Sequence, residues 1–159
     1  MAYQQYNNNR NNNYSNRTGN FNGSRQGNYG RDNEVKEIKA EPLPKDYVDA
    51  AEKLMSAECK NITTSKIRNI LALVTDIYNV EMLRKEENLL PESITKVQLM
   101  RVKVAYECGR DKKVKEFIEH AKLLEYIKGI GDKRENLINF AHYMESLVAY
   151  HRYFGGREN

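Results

Sequence analysis

The sequence predicts an all-α fold, a bundle of about five helices. Apolar residues recur at three- and four-residue spacing from Asp46 to Phe154, and no stretch alternates with period two for long enough to make a strand. Glycine or proline punctuates the successive runs, leaving short connections of the kind that join antiparallel helices. With 40% apolar residues in a chain of 159, there is material for one modest core and one domain.

Residues 1–33 stand apart from that pattern. They hold eleven asparagines, four tyrosines and Arg10, Arg17, Arg25 and Arg31, against a single acid, Asp32, and no aliphatic residue beyond Ala2. So little apolar surface cannot offset the entropy of ordering, and a disordered tail is expected there. Arginine interleaved with Tyr, Phe and Gly suits single-stranded nucleic acid, and a solubilising tail without a fixed partner explains the composition equally well. Residues 34–45, with Pro42 and Pro44, read as a linker, and residues 46–156 as the bundle domain.

The first helix is expected over roughly Asp46 to Glu58, with Ala51, Leu54 and Met55 on its apolar face. Thr63 or Thr64 can cap a second, from Ser65 to about Glu87, carrying Ile67, Ile70, Leu71, Val74, Ile77 and Tyr78. Pro91 interrupts, and Ser93 can open a third whose stripe is Val97, Met100, Val104 and Cys108. Leu99, Val102 and Tyr106 fall elsewhere around that helix, which places it in the middle of the bundle, with Gly109 as its end. A fourth helix carries Val114, Phe117, Ile118, Ala121, Leu124 and Ile127 and closes at Gly129-Ile130-Gly131. Asp132 and Glu135 make a capping-box-like start for a fifth, which runs through Leu137, Ala141, Met144 and Leu147 to Gly155-Gly156.

Charge and motif content narrow the function. The 26 basic and 22 acidic residues give +4, of which the tail carries +3, so the bundle is nearly neutral and the placement of its cations must decide. No run of about 18 apolar residues and no apolar leader is visible, which points to a cytoplasmic protein away from membranes. Cys59 and Cys108, 49 residues apart, match no zinc or disulfide pattern and read as small core residues. His120, His142 and His151 fall at no metal-ligand spacing, and phosphate-binding loops and nucleophile elbows are missing; a non-catalytic binding protein without cofactor is expected.

Three features offer binding chemistry, each with a plainer alternative. At the start of the second helix Thr63, Thr64, Lys66 and Arg68 bring hydroxyls, amides and cations together, as a phosphate site or as an ordinary cap followed by surface charge. Lys96, Lys103 and Arg110, seven residues apart, line up along the third helix at ~10.5 Å per step, either as a track for a phosphate backbone or as a solvated face. Arg101 lies within the apolar stripe of that helix, so its stem must pack while its head seeks a carboxylate, a phosphate or a subunit boundary. Finally, Gly129-Ile130-Gly131 is similar to the glycine turn of helix-hairpin-helix modules, which would make the chain an independent duplex-DNA binder; a simple interhelical turn, capped by Asp132, is the alternative.

Taken in order, Ile62-Thr63-Thr64-Ser65-Lys66-Ile67-Arg68, then Lys103-Val104-Ala105-Tyr106 with Gly109-Arg110, then Phe140 through Val148-Ala149-Tyr150 to Phe154-Gly155-Gly156 resemble the small subunit of the type III-A CRISPR effector, the Csm complex. The resemblance spans residues 46–156 and leaves the tail outside. It implies an antiviral, RNA-guided complex in which several copies of a helical, non-catalytic subunit stack beside the backbone and large subunits, along the channel where guide RNA pairs with target RNA. On the matching blocks it implies phosphate contacts by Lys66, Arg68, Lys103 and Arg110, with Arg101 and Tyr106 as second choices, either of which is alternatively a core or subunit-contact residue; Lys96 joins them by its seven-residue spacing. Sequence would be read by base pairing of the guide, so a protein contacting only the backbone suffices.

Overall fold

The computed structural model describes residues 37–158, so the tail expected at 1–33 lies outside the described residues. Within them the chain forms six helices and no strand: α1 (Tyr47–Glu58), α2 (Thr64–Glu81), α3 (Pro91–Arg110), α4 (Lys112–His120), α5 (Leu123–Gly129) and α6 (Arg134–Tyr153). The sixth arises because the expected fourth helix is two. Lys122 adopts a left-handed conformation, φ +51°, and the buried hydroxyl of Tyr143 on α6 donates to the carbonyl of Ala121 at 3.1 Å. A continuous helix would offer that carbonyl to an amide four residues on, so α6 holds the break open.

Helix α6 packs against α1 and α2, while α3 packs against α2, α4 and α5. Isolated bridges join Thr63 to Arg157 and Asn88 to Lys133, so α2 begins where α6 ends and ends where α6 begins, an antiparallel pair. The core between the helices is filled by Met55, Ile67, Val74, Met100, Phe117, Ile127, Phe140 and Leu147. His151 belongs to it: its Nε2 lies 2.9 Å from the carbonyl of Ile62 and Gly156 sits directly against the ring, where a Cβ would collide. Gly155, φ +72°, ends α6, with the Gly155 amide donating to the carbonyl of Arg152 and the Gly156 amide to that of His151.

Several boundaries move for identifiable reasons. Helix α2 stops at Glu81, short of Glu87, because the Glu81 side chain is buried and accepts the amide of Leu90 at 3.0 Å. That carboxylate thereby caps α3, which begins at Pro91; proline fits the first helical position, where no amide is needed. Burial pulls the Glu81 carboxyl upward, but Ser93, the Leu90 amide and Arg84 together hold it below its ordinary value. Asp132 does not cap α6. The helix starts at Arg134, whose amide donates to the carbonyl of Glu87 at 2.9 Å, while the Asp132 carbonyl accepts from Leu89. Cys59 is buried as expected, and Cys108 is only partly so.

The segment from 37 to 44 has no helix and is tied along α5. The Glu41 amide donates to Glu125 at 3.1 Å, Lys122 reaches the Glu41 carboxylate at 2.8 Å, and Lys128 reaches the Ile38 carbonyl at 2.7 Å.

Candidate nucleic-acid interface

Helix α3 turns only one face inward, through Ser93, Val97, Met100 and Val104. Its neighbours cover that side alone, so α3 lies at the edge of the bundle and not in its middle. Leu99, Val102 and Tyr106, expected to be buried, are 55%, 62% and 64% exposed. Lys96, Lys103 and Arg110 run along the same exposed side. Lys96 pairs with Glu92 at 2.8 Å and Arg110 with Glu107 at 3.2 Å, whereas Lys103 has no ion-pair partner among the described residues. Exposed pairs of this kind are worth ~0–1 kcal/mol, so a phosphate can compete for either cation with little penalty.

The Arg110 guanidinium also lies over the Tyr106 ring, 5.5 Å from its centre. Across from it, Lys66 on α2 is bonded to the carboxylate of Asp111, the residue at which the chain turns from α3 into α4. Asp111 Oδ1 accepts the amides of Lys113 at 2.9 Å and Val114 at 3.3 Å, which caps α4. The Lys66 bond, with those amides, lowers the Asp111 carboxyl. Lys66, Lys103, Tyr106 and Arg110 thus border one groove of about 320 Å³, together with Asn69 and Glu107 and over apolar Ile70, Leu73, Val104 and Val114. Arg68 and Lys96 are exposed outside it. Half-buried Arg101 borders a separate hollow with Glu37, Ile38, Val102 and Lys128.

The start of α2 is closed by the chain itself. The amide and hydroxyl of Thr64 donate to the carbonyl of Arg157 at 2.8 and 3.0 Å, and Thr63 Oγ1 accepts the Lys66 amide at 3.4 Å, an ordinary cap. The glycine turn is occupied in part. The backbone of Glu41 packs on Gly129, where a Cβ would collide, and the amides of Ile130, Lys133 and Arg134 all donate within the chain. Its geometry is that of an interhelical turn leaning on the α2–α3 loop.

Asp111, Asn69 and Glu107 were not expected from the sequence. Asp111 had a readable signal, an aspartate directly before the amphipathic run of α4; the other two had none beyond their helical register with Lys66 and Lys103. No group of His, Cys, Asp and Glu among the described residues could hold a metal ion, and no helix there is long and apolar enough to cross a membrane.

The family model described as Csm2 Type III-A matches residues 41–157, which includes every helix above. The chain belongs to the Csm2 family. Among curated members, a CRISPR system Cms protein Csm2 from Streptococcus thermophilus is 41% identical over 118 residues, covering 70% of this chain and 93% of its own. The Csm2 of Mycobacterium tuberculosis is 37% identical, covering 71% and 94%. That of Enterococcus italicus is 32% identical over 97 residues, covering 58% of this chain and 68% of its own. Membership supplies what the outward face of α3 lacks by itself, a place in a type III-A CRISPR effector as its Csm2 small subunit.

Proposed function

We propose that the chain is a non-catalytic, cytoplasmic subunit that lines the guide–target RNA channel of the effector and stabilises target binding through phosphate contacts. The observation that carries this reading is the convergence of Lys66, Lys103 and Arg110 on one groove, with Lys103 lacking an internal ion pair among the described residues. Lys103 and Arg110 are the primary contacts; Lys66 contributes by exchanging Asp111 for phosphate, and Lys96, Arg68 and Arg101 extend the surface to either side. With a nearly neutral bundle, one copy binds weakly, and several copies on one strand supply affinity by acting together.

The partners on this reading are the guide–target RNA duplex, the backbone and large subunits, and further copies of the chain. Leu99 and Val102, apolar and exposed beside the cations, suit contact with those protein neighbours. Independent duplex-DNA binding through the glycine turn would fall to the Gly131 and Asp132 amides, since those of Ile130, Lys133 and Arg134 already donate within the chain.

Native mass spectrometry of the chain mixed with the other effector subunits and guide RNA tests the assignment. More than one copy is expected in the assembled particle. A particle of full mass from which this chain is absent would overturn it.

A further inference from the structure

The groove between α2 and α3 has a feature for which a phosphate backbone has no use, an apolar floor. Ile70 and Leu73 from α2 and Val104 from α3 form it, and the rim carries Tyr106, Asn69 and the cations Lys103 and Arg110. At about 320 Å³ it stands at the small end of the ~300–1,000 Å³ typical of sites for compact ring-containing ligands. Tyr106 is 64% exposed with a guanidinium 5.5 Å from its ring centre, the pairing of aromatic and arginine on which single-stranded nucleic acids stack. The Asn69 side chain brings both a donor and an acceptor to the mouth. Three cations border the groove, Arg110 paired with Glu107 and Lys66 with Asp111, which leaves the charge of Lys103 in excess. That balance suits an anionic strand better than an apolar protein side chain.

We infer that the groove receives one unpaired nucleobase of the bound RNA, stacked on Tyr106, with the flanking phosphates on Lys103 and Arg110. The inference rests on the RNA-contact reading above and adds to it a class of ligand group. Stacking tolerates any base, because every base has a π face, so occupancy depends on a base being unpaired and not on its identity.

The test is a 4-thiouridine scan. Single 4-thiouridines are placed through the target RNA, effector complexes are assembled with the full chain, and photo-cross-linked residues are mapped by peptide mass spectrometry. At one or more positions the cross-link is expected on the peptides bearing Tyr106 or Asn69. Tyr106→Leu is expected to reduce that yield at least about fivefold, the low end of what removing a base–aromatic stack costs, while Tyr106→Phe retains it. Cross-links confined to other faces, or none to this chain at any position, would overturn the inference even where RNA affinity still depends on Lys103 and Arg110. A Tyr106→Leu chain that no longer joins the complex would overturn it in favour of a partner subunit filling the groove. RNA affinity that ignores Lys103 and Arg110 is the separate result that removes the underlying reading.

Discussion

Replacing Glu81 tests how the two halves of the bundle are joined. Its side chain is fully buried at the end of α2, accepts the Leu90 amide at 3.0 Å and the Arg84 guanidinium at 2.7 Å, and is also bonded to Ser93. Glu81→Ala removes the acceptor of the Leu90 amide just before α3 and the buried half of the Arg84 ion pair, leaving Arg84 the Asn88 carbonyl at 3.1 Å and Glu86 at 3.4 Å. Breaking a buried ion pair from one side costs ~3–5 kcal/mol, and Arg84, with 21% of its side chain exposed, can recover some hydration. About 3 kcal/mol is therefore expected, roughly 10–15 °C in Tm for a domain of this size. Glu81→Gln keeps the shape but turns one of the two accepting oxygens, which face the Leu90 amide and the Arg84 guanidinium, into an NH2 donor, so one acceptor is lost together with the charge, about 1–3 kcal/mol. The sign of the pH dependence follows from the lowered carboxyl. The stabilisation is complete above the ordinary glutamate pKa and is lost as pH falls through the depressed folded value, so Glu81→Gln should narrow its deficit in acid. Thermal and urea unfolding followed by circular dichroism at neutral and acidic pH measures both effects. A Glu81→Ala protein within about 0.5 kcal/mol of wild type at neutral pH would refute the reasoning.

Gly129→Ala should be destabilising, because the new Cβ meets the Glu41 backbone, and hydrogen exchange of the Glu41 amide should quicken while that of the α2 amides does not. Tyr143→Phe should cost ~1–3 kcal/mol in unfolding experiments, since it orphans the buried Ala121 carbonyl; spectrophotometric titration should also find Tyr143, whose hydroxyl burial pushes upward, un-ionised where exposed tyrosines have titrated. The purified chain should not cleave RNA or DNA with magnesium, manganese or zinc, and cleavage abolished by a single point substitution would contradict the non-catalytic assignment.

Element type was legible because the core faces of α1, α2 and α6 follow a strict helical period, and Ile67, Val74, Leu137 and Leu147 are buried where that period puts them. Three things were not legible. The break at Lys122 depends on a hydroxyl from α6, reaching across 22 residues of chain, which no local pattern announces. The early end of α2 depends on a carboxylate folding inward, against the usual preference of glutamate for water. The exposure of Leu99, Val102 and Tyr106 reverses what apolar content on several sides of a helix implies, because only the side of α3 that carries Val97, Met100 and Val104 meets its neighbours. The cationic line on α3 followed from seven-residue spacing alone, whereas its meeting with Lys66 and Asn69 required the packing of α2 on α3.

The most direct measurement is target-RNA affinity against salt, using complexes assembled with wild-type chain or with Lys103→Ala and Arg110→Ala together, matched for subunit stoichiometry. Both residues are exposed, so folding should change by no more than about 0.5 kcal/mol per site. Affinity should fall equally for all target sequences, and the slope of log affinity against log salt should become shallower by up to ~0.7–0.9 for each phosphate left without its cation in each copy. Identical affinities and identical slopes would contradict the account, and would take the outward face of α3 out of the RNA-binding surface.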